Sequence, residues 1–311
     1  MPRSRIPRSA LLALILAAAS WGVGTVVSKR AVEEIPPLTL LPIQLAASLF
    51  VLAALMRWRG IPLRDPTASP VLVRLGLLNP GLAYALGLLG LVHISASLSV
   101  LLWALEPLMI LVLAAWFLRE PIGASLVALS IVAVGGMALV VYDPGASGAL
   151  LGIALTLAGI GCCAIYTVVA RRRLGSDQAT APVVLGQQVH ALVLALGLVV
   201  ILSLAGGAGW PDGITTTAWA SAVASGVLYY GLAYWLYLSG LRKVSASVAA
   251  VSFYLIPAFG VLADALLLEQ RLELRQWLGV VVVVIAVALI GTRVGRRSVG
   301  PGPVEATTPA T

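Results

Sequence analysis

Four separated features of this chain recur at one fixed spacing. Gly81-Leu82-Ala83-Tyr84, Gly90-Leu91, Ser95-Ala96-Ser97 and Pro107 return 150 residues later as Gly231-Leu232-Ala233-Tyr234, Gly240-Leu241, Ser245-Ala246-Ser247 and Pro257. A further match sets Thr25-Val26-Val27-Ser28-Lys29-Arg30 against Thr167-Val168-Val169-Ala170-Arg171-Arg172 at a spacing of 142, so a connection of different length separates the blocks. The chain is therefore a duplication, and any fold it adopts is assembled from two units of about half its length.

The solvent of those units follows from composition. With 60% hydrophobic and 10% charged residues, the polar surface cannot cover a soluble globule of 311 residues. The expected class is an all-α integral membrane protein. A helical span needs about 20 apolar residues, and ten such runs are present: 10–28, 38–56, 71–91, 95–117, 122–142, 148–169, 182–204, 216–240, 245–268 and 275–292. A membrane barrel would show short alternating segments, whereas these runs are continuous Leu, Ala, Val and Gly. Arg3, Arg5 and Arg8 before Leu11 resemble the start of a signal peptide. The apolar run continues through Trp21 to Val27, however, and its end is repeated in the second half, so a retained helix is expected.

Basic residues near short loops stay on the cytoplasmic side. With the N-terminus inside, sixteen Lys and Arg fall in the cytoplasm, and only Lys29, Arg30, Arg271 and Arg275 fall outside. Both termini are thus expected in the cytoplasm, with the chain multi-pass in the plasma (inner) membrane. The net charge of +8 is an orientation signal, reinforced by anionic lipid; no nucleic-acid partner is implied.

Five helices per unit is an odd number, so the second unit enters the membrane from the opposite side. The charges agree: Lys29 and Arg30 fall outside while their counterparts Arg171 and Arg172 fall inside. The expected architecture is ten transmembrane helices as two inverted five-helix repeats, 10–142 and 148–292. A cytoplasmic segment, 1–9, precedes them and a disordered cytoplasmic tail, 293–311, follows. Inverted repeats are a recurrent plan of secondary transporters, with the substrate site between the halves.

Several residues carry a family resemblance. Trp21-Gly22 with Lys29 eight positions after the Trp, the paired prolines, and Pro107 followed by Leu118-Arg119-Glu120 look like the EamA family of the drug/metabolite transporter superfamily. The resemblance covers residues 10–292. It implies a ten-helix carrier of small metabolites, often an exporter of amino acids or related compounds, with a central cavity lined by both halves. Two positions depart from the family pattern. Gln44 stands seven residues after Pro37 where an Arg is common, and Gln270, beside Glu269, stands where the second unit would match Glu120.

Candidate site residues follow from what is costly in lipid. Glu106 lies mid-span, where a carboxylate costs about 2.5–3.5 kcal/mol on insertion scales. It reads either as a proton-coupling or cation-binding group or as a structural carboxyl near a helix break; its second-half counterpart is Ile256. Pro107 and Pro257 each remove a helix hydrogen bond, freeing the carbonyls of Trp103 and Phe253, and the expectation is a pair of kinked helices lining a cavity. Tyr84 and Tyr234 correspond through the repeat, and a phenol in lipid needs a partner. Tyr229, Tyr230, Trp235 and Tyr237 read as interface-belt or packing residues. Gln44 and Gln187 sit at similar depths in matched helices and are candidates to face the cavity or to join helices. His190 is a candidate relay or a structural histidine. Asp264 and Lys29 each lie near a helix end, where interfacial water is in reach. A cavity containing Trp103, Phe253 and Tyr234 suits an apolar, aromatic or cationic substrate.

Gly148 with Gly152, Gly135-Gly136 and Gly159 with Gly161 read as small residues permitting close helix contacts, and Cys162 and Cys163 as packing residues. No cofactor or metal is expected. The functional expectation is a secondary carrier, exporting a small molecule by alternating access and driven by protons or by the substrate's own gradient. A membrane-embedded enzyme and a flippase for lipid-linked substrates are the alternatives; the enzyme lacks any clustered catalytic grouping in the sequence.

Overall fold

The computed structural model describes residues 7–142, 148–175, 177–204, 213–267 and 273–297. Glu269, Gln270 and Arg271 lie outside the described residues, as do Arg3 and Arg5. Among those described every element is a helix, apart from one bridge between Ile94 and Gly148, with turns and loops between them.

The helices are α1 (Arg8–Glu34), α2 (Pro37–Trp58), α3 (Pro70–Leu91), α4 (Ala96–Trp103 and Glu106–Phe117), α5 (Ala124–Val141), α6 (Leu150–Arg173), α7 (Thr180–Leu204), α8 (Thr216–Gly226, Val227–Leu232 and Ala233–Leu241), α9 (Ala246–Leu267) and α10 (Leu274–Arg297). Eight of them, α1 to α7 and α9, are long and apolar enough to cross a bilayer. The chain is a multi-pass membrane protein. In α10 the apolar part is Leu274–Ile290, and the helix runs on through Arg297, past residue 293 where the tail was expected to begin; residues 298–311 lie outside the described set.

Local chemistry sets the helix starts. Pro37 and Pro70 open α2 and α3, where a missing N–H costs nothing. Ser95, Thr215 and Ser245 cap α4, α8 and α9 by accepting from Leu98, Ala218 and Val248 N–H groups. The α9 start has a second acceptor, because the Glu120 carboxylate receives the Ala246 and Ser247 N–H groups at 2.8 and 3.0 Å.

The pairing of helices follows the repeat. Where α3 packs on α6, α8 packs on α1; where α4 packs on α6, α9 packs on α1; α2 meets α7, and α5 meets α10. Small residues make these contacts possible, since dispersion and close backbone approach replace the hydrophobic drive in lipid. A Cβ on Gly76 would strike the Gln187 backbone, and one on Gly226, its repeat counterpart, would strike the Gln44 backbone. A Cβ on Gly152 would stand 2.8 Å from the Gly90 carbonyl oxygen, and one on Gly159 2.6 Å from that of Ala83. Gly136 faces Gly279 in the same way, while Gly135 has open space beside it and Gly161 meets only Met109. Large apolar side chains such as Phe50, Trp116 and Leu150 point outward, as lipid requires.

The two ends of the bundle differ. At one, Arg171 Nε donates to the Val244 carbonyl and Arg242 Nη1 to that of Gln178. At the other, the Glu34 carboxylate accepts from Thr215, and Arg275 donates to the Tyr142 carbonyl.

Candidate functional site: an aromatic cavity between the halves

A cavity of about 430 Å³ lies among helices of both halves. Its wall runs along α1 from Trp21 to Val32 and along α3 from Asn79 to Leu91, and α8 contributes Tyr229 to Tyr237. It therefore reaches from mid-bundle to the end carrying Glu34 and Pro37. Toward the arginine-rich end the space is filled: Met56, Leu241, Val244 and Leu174 are buried in one continuous apolar core.

The prolines shape this space. The helix α4 is interrupted after Trp103 and resumes at Glu106, with Pro107 in the first turn of the new segment. Pro107 has no N–H, so the Trp103 carbonyl loses its usual donor. In α9 the turns tighten over Ser252–Tyr254 and regular helix resumes at Leu255, two residues before Pro257. Trp103, Glu106, Pro107, Phe253 and Pro257 all line the cavity, as do Tyr84, Tyr234 and Gln44. Gln44 is also tied back into the fold, its Nε2 donating to Ser225 Oγ at 2.8 Å.

Gln187 and His190 are elsewhere. Gln187 accepts the Tyr166 hydroxyl at 2.9 Å and donates to the Leu72 carbonyl at 2.8 Å, joining α7 to α6 and α3 behind the wall. His190 Nδ1 lies 2.8 Å from the Gly186 carbonyl of its own helix. The matched depth of Gln44 and Gln187 does not translate into a shared face, because α7 packs on α2 and α3 and turns Gln187 into that seam. Asp264 and Lys29 find each other, at 2.6 Å, beside Ser28 and Gly260 of the wall.

Other lining residues were assigned differently from sequence. Tyr229, Tyr230, Tyr237 and Trp235 all pack in or against the buried core, as one of the two expectations had it, and the three tyrosines also line the cavity. Cys163 lines the cavity as well. Trp21 stands at the centre of the aromatic group, with ring centroids 5.4 Å from Tyr234 and Phe253 and 5.5 Å from Tyr237, all edge-on. Its Nε1 is buried with no hydrogen-bond partner among the described residues. The sequence held a signal for these positions: Trp21, Thr25, Ser28 and Val32 share one face of α1, as Tyr230, Tyr234 and Tyr237 share one face of α8.

Most of the lining phenols are engaged with the protein, the Tyr254 hydroxyl being buried without a hydrogen-bond partner among the described residues. Tyr84 donates to the Tyr229 hydroxyl at 3.0 Å, Tyr234 to Asn79 Oδ1 at 2.7 Å, and Tyr237 shares a 3.1 Å hydrogen bond with Thr167. These bonds link α3 to α8 and α6 to α8, so the hydroxyl groups hold the halves together and the ring faces are left to the space between.

Two stretches of the chain, 8–142 and 150–292, match the EamA-like transporter family. The chain belongs to that family. Each match occupies one half of this EamA-like chain. It is 26% identical over 292 residues to an uncharacterized transporter of Archaeoglobus fulgidus, covering 90% of this chain and 97% of that one. It is also 26% identical over 295 residues to the uncharacterized transporter YvbV of Bacillus subtilis, covering 92% of each. A solved crystal structure superimposes with a TM-score of 0.77 at 21% identity, covering 94% of this chain and 99% of the other; at that identity the likeness is one of fold.

Proposed function

We propose that this EamA-like protein is a secondary carrier that exports amino acids or other small metabolites across the plasma membrane by alternating access. In this reading the ten helices all span, the two halves are inverted repeats, and both termini face the cytoplasm. The observation that carries it is the cavity itself: it lies between the halves, extends to one end of the bundle and is packed shut at the other. The exchange of packing partners between the halves fits a two-fold relation, and five helices in each half put that axis in the membrane plane. The names of the relatives support a transport role.

Alternating access then requires the opposite packing to be reachable. Rocking one half against the other would close α1 onto α4 at the open end and part α6 from α9, now joined through Ala164, Val168, Ala246 and Ala250, at the packed one. The breaks before Pro107 and Pro257 supply the places where α4 and α9 can bend. The carboxyl of Glu106, set at the first of these breaks, serves as the proton- or substrate-coupling group.

The test compares external metabolites of cells overproducing the wild type, Glu106→Gln and an empty vector. A metabolite enriched outside wild-type cells, and reduced at least fivefold in the variant, is the expected result. No difference between wild type and vector would overturn the exporter reading.

A further inference from the structure

We infer that the cavity is a site for an organic monocation, an amine or quaternary ammonium carrying an apolar group and no carboxylate. The inference rests on the reading of this chain as a carrier and names the chemistry of its cargo.

Charge is the first argument. Among the residues that line the cavity there is no Lys, Arg or His, and Glu106 is the sole Asp or Glu. The nearest opposite pair, Lys29 and Asp264, is spent on itself. Neither of the two ion pairs among the described residues involves Glu106. A mid-membrane carboxyl without a basic partner in the protein either keeps a proton or pairs with a cation brought in from outside it, and the aromatic wall around Glu106 selects the cation.

The aromatic wall is the second argument, independent of the first. Seven of the chain's eight tyrosines line this cavity, with Trp21, Trp103 and Phe253. Because the hydroxyls of Tyr84, Tyr166, Tyr234 and Tyr237 are tied to protein partners, the wall offers ring faces more than hydrogen bonds. Ring faces carry negative potential and attract ammonium groups, most strongly where water is excluded. An aliphatic or aromatic tail is accommodated by the same surfaces.

Size and exclusion complete the case. A cavity of about 430 Å³ falls in the range of small-molecule pockets, and among the described residues no three His, Cys, Asp or Glu side chains cluster as a metal ion would need. A zwitterionic amino acid would place its carboxylate in the same enclosure as Glu106 with no basic side chain to receive it, only neutral donors such as Trp21 Nε1 and the Tyr254 hydroxyl. The geometry thus favours the amine over the amino acid of the same side chain.

Four soluble probes share a phenyl ring and differ in charge: phenethylamine (cation), 2-phenylethanol (neutral), phenylalanine (zwitterion) and 3-phenylpropionate (anion). Their affinities for the purified full-length chain in detergent are measured by calorimetry, with protein-free micelles as the blank. The expected result is phenethylamine bound at least tenfold more tightly than each of the others, and Glu106→Gln reducing its preference over 2-phenylethanol to less than twofold. The inference is overturned if the wild type binds no phenethylamine, or binds phenylalanine or 3-phenylpropionate as tightly, or if the variant keeps the preference. Should Glu106→Gln fail to purify folded, the wild-type ranking alone decides. Counterflow of labelled phenethylamine and phenylalanine in proteoliposomes separates the two readings. An amine bound selectively but not moved sinks the carrier and leaves the site, whereas phenylalanine moved without the amine sinks the site and leaves the carrier.

Discussion

Lys29 Nζ lies 2.6 Å from Asp264 Oδ1, an ion pair that ties α1 of the first half to α9 of the second. It sits beside the cavity mouth, one residue from Ser28 and four from Gly260. The two helices are already in close contact there, since a Cβ on Gly22 would stand 2.7 Å from the Gly260 nitrogen. The pair is 43% and 19% exposed, so solvent screens it. A double-mutant cycle with Lys29→Met and Asp264→Asn should give a coupling of no more than about 1 kcal/mol in thermal stability. A coupling of twice that size would show a far drier contact than this.

Glu120 contributes more than that pair. Its carboxylate receives two backbone N–H groups and the Ser247 hydroxyl at the head of α9. Glu120→Ala should lower stability by about 1–2 kcal/mol, the upper range for loss of a helix cap. Thermal unfolding in detergent reads this directly, and an unchanged midpoint would contradict the capping role.

Two glycines of similar sequence context should behave in opposite ways. Gly152 meets the Gly90 carbonyl and Ile94, so Gly152→Leu should cost about 1–3 kcal/mol through overpacking. Gly135 has nothing within 4 Å of a built Cβ, and Gly135→Ala should leave stability unchanged or raise it. Equal effects of the two substitutions would refute the packing assignment.

Buried amides and the histidine divide in the same manner. Gln188 accepts from Ser48 Oγ at 2.5 Å and donates to the Tyr230 carbonyl, bridging α2 and α8 from α7. Gln188→Leu should lose about 1 kcal/mol, within the range measured for hydrogen bonds between membrane helices. Among the described residues the His190 ring bonds within its own helix turn, so His190→Gln should leave transport rates within twofold. A transport defect confined to His190→Gln would restore it as a relay.

The one-sided opening can be probed with single cysteines in a background carrying Cys162→Ser and Cys163→Ser. Ser99→Cys lines the cavity and should react with a membrane-impermeant maleimide applied outside intact cells, whereas Met56→Cys, 1% exposed in the packed end, should not. Faster reaction at Met56→Cys would place the opening on the other side.

The helical class, the position of nearly every helix and the break points before Pro107 and Pro257 were legible in the residues. Apolar run length and missing proline donors act within one helix turn, so they need no knowledge of neighbours. Trp103 with Phe253 and Tyr84 with Tyr234 were found by local reasoning applied twice through the repeat, Glu106 by the cost of a carboxyl in lipid and Gln44 by its depth, and all six line the cavity. Gln187 and His190 went elsewhere, and Tyr229, Tyr230 and Tyr237 came in, because the azimuth of a helix is a property of its contacts. In a soluble helix an apolar stripe announces the buried face; here lipid accepts Leu and Val on every side, and that signal is lost.

What the sequence determined by itself is the repeat, the membrane as solvent and the helical elements, all encoded by spacing and by transfer free energy along the chain. Tertiary structure alone decided which polar groups meet: Lys29 with Asp264, Glu120 with the head of α9, and the phenols with Asn79, Thr167 and one another. Those pairings join residues far apart in sequence. They exist because a polar group in hydrocarbon must be satisfied by whichever neighbour the packing of small residues brings near.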